Sequence, residues 1–504
     1  MPGANFVKPS RDMSETMVRE LTTRRAEFWN RARKRQMLAL FHSAAFHVPA
    51  YKHFLKKHRI NPGKIRNLND FMRVPITNKK NYLYEYPLEK LVWDGKMRSD
   101  WVLAATSGST GEPFYFPRSR DLSWESSILH EFFLKNCLRY KNEPTLVIIG
   151  FGMGVWIGGL ITFQAFEEIG ARGYPVSILA PGVNKKEIFH ALRKLAPHYP
   201  HTILVGYPPF IKDVIDECED QKIDLKKLNL HLLFAAESFS EEFRDYVASK
   251  TNLKNIYLDT LNIYGTADIG TMAYETPTSI LVRRLALTNA KLFMELLGSV
   301  RVPTLAQYNP FFINFESVEN EVVLTGKSAI PLMRYAIGDR GGAFDFSHAE
   351  EVLRKFKLDL KAEAKKEGID TRVTEMPFVF VYERSDFSTN IYGLQVYPEM
   401  IKSALLTNIL AKYVTGKFAM QTRFDRHQNQ YWEINIELRK NKIGNSKIKD
   451  LALKKIKQSL FEKSSEFREL YGHIGERTCP RIVFRPAEDP RYFNPGAKQR
   501  WVIQ

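Results

Sequence analysis

The chain is 504 residues long, with 44% hydrophobic residues, 26% charged residues and a formal net charge of +18. That composition excludes a disordered or fibrous protein, and the length allows two or more domains with ample core. Three widely separated cysteines, Cys137, Cys218 and Cys479, exclude a disulfide framework and a cysteine zinc site, and fit a reducing cytoplasm. Lys8, Arg11, Asp12 and Glu15 have no apolar run behind them, so no signal peptide is expected. Lys and Arg are scattered, with modest clusters at 31–35 and 361–366, so nucleic acid is not an expected partner.

Residues 1–60 read as a helical flank. Met17, Leu21, Phe28, Met37, Leu38, Leu40 and Phe41 recur there at near-helical spacing. A short apolar run, Trp101–Ala105, reads as a strand. It leads into Thr-Ser-Gly-Ser-Thr-Gly-Glu-Pro, residues 106–113. Gly108 and Gly111 allow backbone N–H groups to turn inward together. Thr106, Ser107, Ser109 and Thr110 add hydroxyls. Such a concave ring of donors suits the oxygens of a phosphate chain, and Arg118 and Arg120 further on add charge favourable to an anion. No Gly-Lys-Ser/Thr ends the loop, which excludes a Walker P-loop.

Residues 145–166 carry no charge over a length that could span a bilayer. The glycines at 150, 152, 154, 158 and 159 make a buried strand, a turn and a packed helix the better reading. Gly150-x-Gly152 is no dinucleotide fingerprint, because the third glycine falls at Val155. From 145 to 260, apolar runs alternate with helical segments. Strands are expected at 145–149, 175–179, 202–205, 230–234 and 255–258, and helices at 185–195, 210–221 and 241–251. That alternation implies a parallel sheet whose ligands bind at the carboxyl ends of the strands. Later, 347–368 reads as one helix with a Ser347/Glu350 capping box and a Gly368 stop. Tyr431–Glu437 alternates as a strand, and 447–462 reads as an amphipathic helix.

The 106–113 loop resembles the phosphate-binding loop of the adenylate-forming (acyl-CoA synthetase) superfamily, in the form of its phenylacetate–CoA ligase-like branch. The family's other motifs follow in order over most of residues 65–504. Phe71–Thr77, Lys79, Lys80 and Tyr86-Pro87 resemble the approach segment. Ala235-Ala236-Glu237 resembles the Gly-Ala-Glu stretch near adenine. Tyr264-Gly-Thr-Ala-Asp268 resembles Tyr-Gly-x-Thr/Ser-Glu, with Asp268 in place of the usual Glu and Ala267 in place of a hydroxyl residue. Pro331-Leu-Met-Arg-Tyr-Ala-Ile-Gly-Asp339 matches the ribose-binding motif. Tyr382-Glu-Arg-Ser-Asp386 resembles the Gly-Arg-x-Asp hinge, with Glu383 for Gly. Tyr392-Gly393 fits the segment after the hinge, and Asn494-Pro-Gly-Ala-Lys498 resembles the Gly-Lys tail. The family's short cysteine-bearing loop is absent from 345–380, so no zinc is expected.

The resemblance implies an α/β fold in two parts. A large N-terminal adenylate-forming domain, 1–383, has mainly parallel sheets and crossover helices, and includes the 1–60 flank and a 345–370 helical insert. A small C-terminal α+β domain, 384–504, turns on a hinge at Asp386. Nucleotide binding falls to Thr106, Ser107, Gly108, Ser109, Thr110, Gly111, Ala236, Glu237, Tyr264, Gly265 and Asp339. Lys498, Asp268 and Arg384 are the expected catalytic residues, Asp268 also holding magnesium, and Gly393 would border the coenzyme A tunnel. The expected activity is that of an AMP-forming carboxylate–CoA ligase. ATP activates a carboxylic acid to an acyl-AMP with release of pyrophosphate, and the acyl group passes to the thiol of coenzyme A. Cofactors are ATP, Mg2+ and coenzyme A. Trp156, Phe151 and the Tyr207-Pro-Pro209 corner suggest an apolar or aromatic acid. The same adenylation with transfer to a carrier-protein thiol or an amine is the nearest alternative. A catalytically degenerate nucleotide- or RNA-binding protein is the other, favoured by the departures at Ala267, Asp268 and Glu383. No membrane insertion is expected.

Overall fold

The computed structural model describes residues 11–105, 114–139, 141–153, 157–298, 302–382, 389–405, 407, 409–493 and 501–502. Four of the expected apolar runs form strands, Thr145–Gly150, Val176–Leu179, His201–Gly206 and Leu230–Ala235. With Thr260–Thr266 they pair in parallel, in the spatial order 176–179, 145–150, 201–206, 230–235, 260–266. Every residue of Thr145–Gly150 and His201–Gly206 is buried. Continuous burial of this kind marks strands covered by helices on both faces. Helices Ile157–Ala171, Lys185–Lys194, Pro208–Glu217 and Glu241–Thr251 lie in the intervals between these strands. The uncharged 145–166 stretch is thus a strand and part of a 15-residue helix. Among the described residues, no helix is long and apolar enough to cross a membrane.

The same sheet continues with six antiparallel strands that the alternation pattern did not announce. In spatial order they are Gly270–Tyr274, Thr304–Gln307, Phe378–Val381, Leu332–Phe344, Glu321–Gly326 and Ile313–Val318. The approach segment docks on this half. Thr77 N–H donates to the Arg334 carbonyl at 3.0 Å, and Ala336 N–H returns a bond to the Thr77 carbonyl at 2.8 Å. The amino-terminal flank is helical as expected, in Arg11–Thr23, Ala26–His47 and Pro49–Lys57.

The carboxy-terminal part is a small α+β unit. It comprises the hairpin Thr389–Ile391/Leu394–Val396, the sheet Val414–Phe424, Gln430–Leu438 and Arg481–Arg485, and helices Pro398–Leu405, Ser446–Lys463 and Ser465–Ile474. Its apolar side chains, Ile434 and Ile456 among them, share one contiguous core with the strands at 145–150 and 201–206.

Two local expectations fail. Residues Ile256–Asp259 form a helical turn, not a strand. The Asn255 side chain accepts from Tyr257 N–H, and Asp259 accepts from Asn255 N–H at 2.8 Å. These bonds satisfy the backbone locally and delay the strand to Thr260. The expected helix 347–368 is two helices, Phe346–Lys355 and Leu360–Lys366. Asp345 occupies the first N-cap and its side chain makes no capping bond, so the Ser347/Glu350 box does not form. The break comes where Asp359 caps the second helix, accepting from Lys361 N–H at 2.9 Å and Ala362 N–H at 3.3 Å. Gly368, at φ +67°, lies just past the end of the second helix.

Candidate active site

The carboxyl ends of the parallel strands open on a cavity of about 710 Å³, a size that suits a small-molecule ligand. The strand Thr145–Gly150 lies between 176–179 and 201–206. The crossover from 145–150 runs to 176–179 on one side and that from 201–206 to 230–235 on the other, and Phe151 and Tyr207 follow these two strands at the switch point between them. Their rings meet edge to face, with centroids 4.8 Å apart, and both line the cavity. Ile157, Ile161 and Thr162 from the following helix extend the apolar side.

The polar side is built from motifs far apart in sequence. Ala236 and Glu237 leave the strand Leu230–Ala235, and both line the cavity. Ala236 sits at φ +74°. For a residue with a Cβ this conformation costs on the order of 1–3 kcal/mol, a kind of strain that collects at functional sites. Residues 262–266 lie within the strand Thr260–Thr266. Gly265 is required there by a close approach: a Cβ would lie 2.7 Å from the Gly270 carbonyl oxygen. The Tyr264 hydroxyl donates to Asp339 Oδ2 at 2.5 Å, joining the expected adenine and ribose motifs. Asp268 is almost fully buried. Its Oδ2 accepts from the Tyr335 hydroxyl at 2.7 Å, and its Oδ1 lies 3.5 Å from Lys79 Nζ.

Lys79 and Tyr335 therefore frame the key carboxylate, although the sequence offered no role for either beyond membership of a motif. Arg334, from the same motif as Tyr335, is structural. It pairs with Glu316 at 3.2 Å and donates to the carbonyls of Met72 and Val74. Arg118 is buried, with Nε and Nη1 lacking hydrogen-bond partners among the described residues, and its guanidinium fills the space a Cβ on Gly270 would take. Burial lowers its pKa to about 10.

The carboxy-terminal unit closes the cavity with Asn390, Gly393, Gln395, Tyr397, Phe424, Gln430 and Glu466. Tyr392 and Gly393 both have positive φ, +49° and +79°, as a type I′ hairpin turn requires. Gly393 N–H donates to Glu237, and Gln430 Nε2 donates to Glu237 Oε2 at 2.7 Å. The expected tunnel glycine is thus at the cavity, but the Tyr207 ring stands against it, 2.3 Å from where a Cβ would sit. Burial raises the carboxyl of Glu466 and the hydroxyl of Tyr207.

Of the expected site residues, Ala236, Glu237, Tyr264, Gly265, Asp268, Asp339 and Gly393 all line this one cavity. Thr106, Ser107, Gly108, Ser109, Thr110 and Gly111 lie outside the described residues, as do Trp156, Arg384, Asp386 and Lys498. Among the described residues, no group of three or more His, Cys, Asp or Glu side chains could hold a metal ion. A single carboxylate such as that of Asp268 is the donor set of magnesium that takes its other ligands from phosphate and water.

No family model matches the chain. The phenylacetate-coenzyme A ligase of Thermus thermophilus is 22% identical over 224 residues, 44% of this chain and 46% of that protein. The Escherichia coli phenylacetate-coenzyme A ligase is 23% identical over 227 residues, 44% and 47% respectively. The chain thus spans about half the length of the curated relatives it matches. A crystal structure of 2-hydroxyisobutyryl-CoA ligase, in complex with 2-HIB-AMP and CoA in the thioesterification state, has a TM-score of 0.63 at 16% identity, over 100% of this chain and 94% of that one. The chain has the fold of that ligase, and it is similar in sequence to phenylacetate-coenzyme A ligases over less than half of its length.

Proposed function

We propose that this protein is an AMP-forming carboxylate–CoA ligase. The observation that carries the reading is the convergence of Glu237, Tyr264, Asp268 and Asp339, from three separate motifs, on one cavity at the carboxyl ends of a parallel sheet. In the first half-reaction a substrate carboxylate oxygen bonds to the α-phosphorus of ATP, and the bond to pyrophosphate breaks. Residues 106–111 would cradle the leaving phosphates, and Lys498 and Arg384 would offset the charge gathered in the transition state. Tyr264 would lie against adenine, and Asp339 would accept from the ribose hydroxyls. Magnesium, held at Asp268, would neutralise phosphate charge. Lys79, 3.5 Å from that carboxylate, would release it to the ion and turn to a phosphate oxygen.

In the second half-reaction a thiolate attacks the acyl carbonyl carbon and AMP leaves. Two features support coenzyme A as the acceptor. The relatives matched in sequence carry coenzyme A ligase names, and the hairpin bearing Gly393 already reaches the cavity. The small unit, proposed as residues 384–504 turning at Asp386, would rotate between the two steps. The apolar side of the cavity, Phe151, Ile157 and Ile161, supports an apolar acyl group.

The test is ATP–pyrophosphate exchange over a panel of aliphatic, hydroxy and aromatic acids. Exchange dependent on at least one acid, followed by thioester formation on adding coenzyme A, is the expected result. No exchange with any acid, together with steeply salt-dependent RNA binding, overturns the ligase reading in favour of a degenerate binding protein.

A further inference from the structure

The helix Pro208–Glu217 starts at the Tyr207-Pro-Pro corner of the cavity and carries two adjacent, fully buried charges, Lys212 and Asp213. Charged side chains are almost never so buried without partners. Each here has two kinds of partner. Within the large sheet's own layer, Lys212 Nζ donates to Asp216 Oδ2 at 2.5 Å, and Lys185 Nζ lies 3.7 Å from Asp213 Oδ2. From the carboxy-terminal unit, Asn429 Oδ1 accepts from Lys212 Nζ at 2.8 Å. Arg477 reaches Asp213 Oδ1 at 2.8 Å and Glu217 Oε1 at 3.2 Å.

Two segments of the carboxy-terminal unit, at Asn429 and at Arg477, therefore converge on this helix, and a third, the hairpin turn 392–393, is joined to the first. They are tied to one another, since Tyr392 N–H donates to Gln430 Oε1 at 2.8 Å. They are tied to the cavity, since Gly393 and Gln430 both donate to Glu237. Departure of the small unit would leave Lys212 with Asp216 and Asp213 with Lys185, so neither buried charge would be stranded. The polar part of the contact can thus be unmade without leaving either charge unpaired, unlike a buried ion pair that loses its sole partner.

We propose that Asp213 and Lys212 are positioning residues that dock the carboxy-terminal unit, through Arg477 and Asn429, in the arrangement that places the Gly393 hairpin at the cavity for the acceptor half-reaction. The inference rests on the ligase reading above. Neither residue lines the cavity, so both act through the hairpin and not on substrate.

The test compares Asp213→Asn, Arg477→Ala, the double variant and Arg477→Lys in each half-reaction of the full chain. ATP–pyrophosphate exchange is expected to stay within about two-fold of the parent for all four. Thioester formation from presynthesised acyl adenylate is expected to fall about ten-fold or more for Asp213→Asn and Arg477→Ala. The double variant should be no slower than either single one, and Arg477→Lys should recover part of the loss. Equal falls in both half-reactions, or an unchanged acceptor step, overturn the proposal. Small-angle scattering of ligand-free Arg477→Glu supplies a readout independent of catalysis, and a larger radius of gyration than the parent's is expected. A scattering profile identical to the parent's overturns the docking role. Absence of exchange in the parent, with the scattering change present, sinks the ligase reading and leaves the docking contact standing.

Discussion

The cavity has two walls of different construction. On the sheet wall, Asp268 is fixed by Tyr335 and Asp339 by Tyr264, bonds between residues 67 and 75 positions apart that lie within or beside one continuous sheet. On the opposite wall, Gly393 and Gln430 belong to a unit whose polar attachment to the sheet layer includes Glu237, Lys212 and Asp213. The first wall cannot move without breaking strands. The second is proposed to move, and Lys212 and Asp213 would keep Asp216 and Lys185 as partners if it did. A site that needs a permanent nucleotide cradle and an exchangeable acceptor side would be built in this way.

Substitutions should therefore have different signatures on the two walls. The largest effect is expected from Asp268→Ala. It removes the candidate magnesium ligand and takes away the carboxylate that the Tyr335 hydroxyl and Lys79 face. Adenylation, read as ATP–pyrophosphate exchange, should fall by two or more orders of magnitude, in keeping with the ~2.7–4 kcal/mol typical of losing one preorganised electrostatic group. A midpoint of thermal unfolding also below the parent's is expected, because a buried hydroxyl loses its acceptor. On the other wall, Gly393→Trp puts a side chain where the Tyr207 ring stands. The hairpin should be displaced, the acyl adenylate should still form, and thioester formation should be lost. An adenylation rate that falls with it would show that the two walls are not separable.

A smaller effect, on stability alone, should come from acid. Burial by itself would raise Glu241, but Arg244, Arg283 and Arg284 outweigh it and hold the carboxyl at about 2. A carboxylate whose folded pKa is depressed stabilises the protein above its ordinary range near 4.5, and this contribution disappears as pH falls through about 2. Thermal unfolding followed from pH 6 downward should show the midpoint dropping between these values, and Glu241→Gln should flatten that drop.

Much of the sheet wall was legible from sequence. Tyr264, Asp268 and Asp339 stand in motifs long enough to recognise, and uninterrupted apolar runs gave the buried parallel strands. What failed was decided by contacts that periodicity does not encode. Residues 256–259 curl into a helical turn because Asn255 and Asp259 satisfy the backbone locally. The 347–368 helix breaks where Asp359 accepts from two N–H groups, and this residue is a cap signal present in the sequence. Lys79 is 189 positions from Asp268, and nothing local to either links them. Lys212 and Asp213 read as ordinary helix charges; they are buried because distant segments, Asn429 and Arg477, cover them.

The central claim is that one cavity serves two half-reactions with separable machinery, and Lys498→Ala tests it most directly. The variant is assayed twice: with ATP and acid for adenylate formation, and with presynthesised acyl adenylate and coenzyme A for thioester formation. Adenylation is expected to fall about 100- to 1,000-fold, with thioester formation close to the parent rate. Parallel loss of both steps in a well-folded variant, or loss of neither, would contradict the account.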